Sequence, residues 1–295
     1  MTAPVMFNRR LGKNELNIAF ELVENQTEFG CIDREQATRF LNLENTISFV
    51  SSIMDKIIGG TIIYRDRTRL GMVLASVVVA KEFREKGAYS IIKSSLPFFR
   101  SVAIRDVDAL VPDDKSKKLL GFPGTLELDW WTKDILERIG FAEQDNLSSY
   151  IIQIDTRKKE NYADSRWDSQ PNIQAAKNLI WNCSKKIGMT NSLIWTHFDS
   201  AASQGRLRTV TQNDSMRLVT SIYHADGTAI IDLLVSDEDF ETAARQISSL
   251  VKESRCNEVI LPLIGEGQSE LIQAVADELG GSLKRKSMTL MRRHL

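Results

Sequence analysis

VVVAKEFREKGAYSIIKSS, residues 77–95, passes from an unbroken apolar run through a charged turn with one glycine into a segment of helical spacing. Val77 to Ala80 read as the end of a strand, and from Lys86 onward Tyr89, Ile91, Ile92, Leu96 and Phe99 mark one helical face, which Pro97 is expected to kink or end. If Arg84 to Tyr89 wraps the start of that helix, several backbone N–H groups lack intrahelical partners and point outward together. An anion would satisfy them: the helix dipole, Arg84 and Lys86 add positive charge, and Gly87 lets the backbone approach without a Cβ in the way. Glu82 and Glu85 oppose this, and the same residues also fit a solvated strand-to-helix turn that Gly87 merely eases.

Upstream, DREQATRFLNLEN places Ala37, Phe40 and Leu41 on one face of a short first helix with Asp33 as its cap. TISFVSSIM, GGTIIY and GMVLASVVVA read as three antiparallel strands, the first two joined through Asp55, Lys56 and the Gly59–Gly60 pair. Downstream, VDALV is a strand, LDWWTKDILERIGF a helix capped by Asp129 and stopped by Gly140, and SSYIIQI the strand that closes the unit. The polar run 155–171 is the expected linker, giving domains at 1–160 and 161–295.

Beyond it, Ile173, Ala176, Ile180, Cys183 and Ile187 form a helical stripe. RLVTSIY and TAIIDLLVS flank the hairpin turn HADG, and helix, strand, helix and strand follow, ending in SLKRKSMTLMRR. The halves thus share an element order, which suggests a divergent tandem repeat. The second half's equivalent turn, SDEDF, is acidic: Ser236 and Asp239 fit a self-capping helix start that leaves no place for an anion.

The stretch VVVAKEFREKGAYSII resembles the signature of the GNAT acetyltransferase superfamily, in which a strand ending Val-x-Pro-x-Tyr/Phe-Arg leads into Gln/Arg-x-x-Gly-x-Gly/Ala. Val79, Phe83, Arg84 and Gly87 match; Lys81 stands where proline is common, and Tyr89 replaces the last small residue. ILERIGF is similar to the family's Tyr-x-x-x-Gly-Phe pattern through Gly140 and Phe141, with Leu136 at the tyrosine position. The resemblance spans residues 15–155 and extends to the second half as topology only. It implies an α/β (α+β) fold of two GNAT-like domains, each a mixed, mostly antiparallel sheet flanked by helices, the second degenerate. It also implies that Val77, Val79, Arg84, Glu85, Lys86, Gly87, Ala88, Tyr89 and Ser90 hold acetyl-CoA or another acyl-CoA, whose acyl group passes to an amine of a small molecule or peptide. The alternative is a catalytically inactive acyl-CoA-binding or interaction protein of the same fold. No catalytic residue is assigned. Tyr64, Glu127 and Asp129 are polar groups near the expected cleft, each with a structural duty that explains it as well, and residues 111–125 read as a substrate-selecting lid or as solvated surface.

Other patterns carry less. IGEGQSE, residues 264–270, fails the dinucleotide fingerprint at Glu270 and reads as a turn with Ser269 capping the next helix. Trp130 and Trp131 are expected to divide between core packing and cleft lining, and the basic C-terminal strand to face water or protect an edge. With 38 Lys plus Arg against 39 Asp plus Glu, no bulk field draws nucleic acid or anionic lipid. The 3 cysteines and 3 histidines lack metal spacing, and no run is long enough to cross a bilayer, so we expect a cytoplasmic protein without metal, nucleic-acid or membrane partners.

Overall fold

The computed structural model describes residues 5–26, 34–66, 71–101, 105–113, 115, 120–154, 167–189 and 192–295. In chain order the elements are β1 (Met6–Arg10), α1 (Leu16–Gln26), α2 (Arg34–Asn42), β2 (Thr46–Ile53), β3 (Lys56–Asp66), β4 (Gly71–Val79), α3 (Arg84–Ser101), β5 (Asp106–Pro112), α4 (Lys133–Ile139) and β6 (Ala142–Gln153). The second half adds α5 (Ile173–Cys183), α6 (Ser192–Ser203), β7 (Leu207–Gln212), β8 (Ser215–Ala225), β9 (Thr228–Ser236), α7 (Phe240–Glu253), β10 (Glu258–Gly265), α8 (Ser269–Glu278) and β11 (Ser282–His294). Each half is a mixed, mostly antiparallel sheet with helices, as expected.

The compact units are not 1–160 and 161–295. One comprises residues 1–145 and 288–295, the other 146–287. The reason is strand exchange. Residues Leu147 to Gln153 of β6, expected to close the first unit, pair antiparallel with β10 in the second, while Met288 to His294 of β11 pair antiparallel with β5 in the first. Residues 155–166 of the expected linker, and Asp33, lie outside the described residues.

In the first unit, β2, β3 and β4 pair antiparallel as expected, and β1 adds an outer strand. The turn between β2 and β3 is Met54–Asp55, with Met54 at φ 52°, and the Gly59–Gly60 pair is not in it. Those glycines lie inside β3, where a Cβ would stand 2.3 Å from the Val78 carbonyl oxygen at Gly59 and 2.2 Å from that of Phe49 at Gly60. Close strand approach under α1 and α3, and no turn, requires them. Pro97 does not end α3, which runs on to Ser101 although proline supplies no N–H to its ladder. Gly140 closes α4 in the left-handed region at φ 98°, as the sequence implies.

In the second unit, Asp226 and Gly227 both take positive φ and join β8 to β9, the turn type that matches strand twist. The stripe on α5 is buried at Ala176, Ile180 and Cys183 and continues at Ile187, whereas Ile173 is exposed. The C-terminal strand is no edge. Arg292 donates from Nε to the buried Asp108 carboxylate at 2.7 Å and from Nη2 at 3.1 Å, and Arg293 donates to the Ile139 carbonyl at 2.6 Å.

Candidate functional site

Between β3 and β4 the register steps from Ile62↔Ser76 to Ile63↔Leu74, so Ala75 is an extra residue, a β-bulge. At the same point β4 loses its parallel partner: β4 pairs β5 at Gly71↔Asp106, Met72↔Val107 and Val73↔Asp108. Beyond Asp108, the β5 edge bonds to a different segment. Leu110 bridges Glu127, and Leu128 donates its N–H to the Leu110 carbonyl at 2.8 Å. A bulge re-aims its strand, and here the result is a cleft walled by β4 on one side and by β5 with Glu127–Leu128 on the other.

Ala80 N–H donates to the Ile58 carbonyl at 2.8 Å, so its main chain faces β3. Main-chain direction alternates along a strand, so the peptide groups of Val79 and Val77 face the cleft. Their side chains are buried in the core beneath α3 and α4. The Val79 carbonyl accepts from Arg84 Nε at 3.4 Å. No side chain among the described residues hydrogen-bonds the Val77 main chain.

The expected ring of open donors from Arg84 to Tyr89 is narrower than the sequence suggests. The helix is preceded by one 3-10 turn, Lys81–Phe83, in which Phe83 N–H donates to Ala80 and Arg84 N–H to Lys81. In a helix that begins at Arg84, Gly87, Ala88 and Tyr89 N–H have carbonyls four residues back, the first of them that of Phe83, which leaves Glu85 and Lys86 as the remaining first-turn donors. Ala88 is buried, Arg84, Gly87, Tyr89 and Ser90 are half-buried, and Glu85 and Lys86 are exposed. A Cβ at Gly87 would meet Phe83 Cβ at 3.4 Å and Ile91 Cδ1 at 4.0 Å, ordinary contacts, so nothing inside the protein demands glycine there. The Tyr89 ring packs on the core beneath α3 and carries the Arg138 guanidinium of α4 at 5.2 Å and the Lys93 ammonium at 5.2 Å. Arg84 lies over the Trp131 ring at 5.3 Å.

Of the polar residues named near the cleft, Tyr64 is buried in β3 against Phe40 and does not reach the splayed edge. Asp129 does not cap with its side chain; its carboxylate accepts from Trp131 Nε1 at 3.1 Å and its carbonyl from Thr132. Glu127 is buried on the β5 wall. Leu136 is 0% exposed in the core and lies in no proton path. Trp130 is exposed and Trp131 half-buried, both in the 3-10 turn Trp130–Thr132. The expected lid lies partly outside the described residues; its described end, from Gly121 onward, is packed inward, with Phe122 edge-on to Phe40 at 5.2 Å.

The second unit repeats this construction. Its register steps at Asp232, two residues past the last parallel pair of β9 with β10, Ile230↔Ile260. Asp232 thus holds the place of Ala75, and Leu234 that of Val77. Here the cleft is closed. Gln268, at the end of the 3-10 turn Glu266–Gln268, donates from Nε2 to the Leu234 carbonyl at 2.6 Å and accepts from Gly265 N–H at 3.2 Å. A Cβ at Gly265 would lie 1.8 Å from the Ile187 carbonyl and one at Gly267 2.3 Å from that of Lys186, so the glycines of IGEGQSE admit main chain. Ser269 is not the cap of α8; its hydroxyl donates to Glu266 and Gln268 holds the cap position. Behind the bulge, Arg206 grips Asp232 with two bonds of 3.1 Å, and His197 Nδ1 stands 3.7 Å away. Burial alone would raise the Asp232 pKa, but Arg206 and His197 outweigh it and hold the acid at about 2. The acidic turn caps itself as expected: Asp239 accepts from Thr242 N–H at 2.9 Å and Ser236 Oγ from Glu238 N–H at 3.0 Å.

No family model matches the chain, and no curated protein matches it. Solved structures do. A Pyrococcus horikoshii protein superposes with TM-score 0.66 at 12% identity over 98% of this chain and 89% of its own. A tandem GNAT protein from the clavulanic acid biosynthesis pathway gives 0.63 at 10% identity over 98% of both chains. A GCN5-related N-acetyltransferase from Sphaerobacter thermophilus gives 0.60 at 10% over 98% and 95%. The chain has the tandem GNAT fold.

Proposed function

We propose that the first unit binds acetyl-CoA or another acyl-CoA along the splayed edge of β4 and transfers the acyl group to an amine of a small molecule or peptide. The carrying observation is the cleft whose β4 wall presents the Val77 main chain, set beside a twin cleft in which Gln268 occupies the corresponding carbonyl. Val77, and Val79 once Arg84 releases it, pair with the ligand's amide-bearing arm. Arg84, Lys86 and the first-turn N–H groups of Glu85 and Lys86 meet the diphosphate, Gly87 keeps a Cβ out of its way, and Ala88, Tyr89 and Ser90 complete the helix that aims them. Gly87 fits this role because, among the described residues, no contact requires glycine there. The bound acyl-CoA supplies a thioester carbonyl as electrophile. The acceptor nitrogen bonds to that carbon, Glu127 on the facing wall takes the proton the nitrogen sheds, and the carbon–sulfur bond breaks with its electron pair on the departing CoA thiolate, which is protonated from water.

A second reading is an acyl-CoA-binding protein without turnover, favoured by Leu136, which is buried where the resembled pattern carries a tyrosine. Calorimetric titration with acetyl-CoA, followed by an assay for free CoA with an amine panel, separates the outcomes. Binding with release supports transfer, binding without release supports the second reading, and no binding at millimolar ligand overturns both.

A further inference from the structure

The second unit contains a cavity of about 380 Å³ away from its closed cleft, between α5 and the start of β8. Leu179 and Cys183 of α5 form an apolar floor, both buried, with Met216 of β8 beside them. One end is charged. Asp237 Oδ1 lies 3.7 Å from Lys186 Nζ, and its Oδ2 lies 3.3 Å from Arg217 Nη1. Among the lining residues two cations face one carboxylate, and Glu238 lies within electrostatic reach of Arg217.

The main chain that carries these groups is held by the fold. Asp237 N–H donates to the Arg217 carbonyl at 2.8 Å, fixing β8 against the end of β9, and the Lys186 main chain is wedged against Gly267. The volume falls in the range of small-ligand sites, which combine an apolar lining with a few fixed polar groups.

We propose that this cavity binds a small monocarboxylate with a short hydrocarbon tail, its head between Arg217 and Lys186 and its tail along Leu179, Cys183 and Met216. A carboxylate suits the planar donor fork of the guanidinium, with a second cation beside it. A dianionic phosphate would meet the Asp237 carboxylate with twice the repulsion, and an ammonium would meet two cations. A neutral apolar molecule would draw nothing from the charged end.

Calorimetric or NMR titration of the full chain at low salt with butyrate, hexanoate, hexanamide, hexylamine and inorganic phosphate tests this. Hexanoate is expected to bind about tenfold tighter than butyrate, since each buried methylene is worth roughly three- to fourfold. It is also expected to bind at least about tenfold tighter than hexanamide, and Arg217→Gln should weaken it by a similar factor. Lys186→Gln, at an exposed side chain, should weaken it less and cannot be confused with unfolding. Equal binding of hexanamide, hexylamine or phosphate, or affinity unchanged in both variants with the fold intact by circular dichroism, overturns the proposal. So does the absence of hexanoate binding.

Discussion

In the first unit the 3-10 turn before α4 ends in Thr132, whose hydroxyl turns back 2.7 Å to the Asp129 carbonyl. In the second unit the matching turn before α8 ends in Gln268, whose longer side chain reaches the exposed edge of β9 and occupies the Leu234 carbonyl. Two bulged strands make two clefts, and one side chain decides which is filled from within. The difference extends to the bulge, where Ala75 leaves room and Asp232 anchors a buried ion pair. It extends also to the helix starts, basic at α3 and self-capped by acids at α7. A duplicated fold can thus keep its backbone and turn an open strand edge into core by supplying an internal hydrogen-bond donor.

The largest effect should come from breaking that core. Arg206→Ala leaves Asp232, 5% exposed, without its guanidinium, and removing one partner of a buried pair costs about 3–5 kcal/mol. Chemical denaturation should record this loss, and hydrogen exchange should place it in β8 and β9. The same acid sets a pH window. Asp232 titrates at about 2 in the folded protein against an ordinary 3.8, so its contribution, about 2 kcal/mol, is complete above roughly pH 4 and is lost as pH falls through 2. Asp232→Asn should remove that part of the acid dependence. A variant as stable as the parent, with an unchanged acid profile, would mean that the ion pair is not what anchors the second bulge.

Next in size are substitutions that exchange features between the halves. Thr132→Gln gives the first unit the side chain that fills the second, and acetyl-CoA affinity should fall at least about tenfold as an internal amide competes for Val77. Gln268→Thr should not create binding in the second unit, because Asp232, Arg206 and the acidic turn remain. Arg84→Glu should weaken acetyl-CoA by a similar factor or more, while Asp239→Lys, at the start of α7, should lower the melting temperature and leave that affinity unchanged. Equal losses from the two would dissolve the asymmetry between the units.

Much of this was legible in the sequence, and what was hidden has physical reasons. The β-branched runs, the Asp226–Gly227 turn, Gly140 and the Ser236/Asp239 cap each act through local chemistry that a short window contains. Helix α6 was missed because its residues Ser192 to Phe198 are buried on every side, so no polar face marks a period. Helix α1 carries a local signal, with Ala19, Phe20, Leu22 and Val23 buried on one face. Strand exchange was invisible because pairing partners 100 or more residues apart leave no local trace, and this displaced the domain boundary. At the site, the strand-to-helix turn could be read but its 3-10 start could not, so the open donors were placed too far along the helix. Nor does the sequence reveal that Gln268 plugs the twin cleft, which takes the register of two bulges to see.

The smallest expected effect is the most discriminating. Gly87 sits in the first turn of α3, where glycine is less favourable than alanine by roughly 0.5–1 kcal/mol. Its added Cβ would touch Phe83 and Ile91 only at ordinary van der Waals distance. Gly87→Ala should therefore leave stability unchanged or raise it by up to that amount. If the glycine is there so that a diphosphate can approach the first-turn N–H groups, the same methyl should weaken acetyl-CoA binding severalfold. Gain of stability with loss of affinity is a combination that a merely solvated turn cannot produce. An alanine variant that is more stable and binds equally well would return this turn to the status of its acidic counterpart at α7, and the two halves would then differ in packing alone.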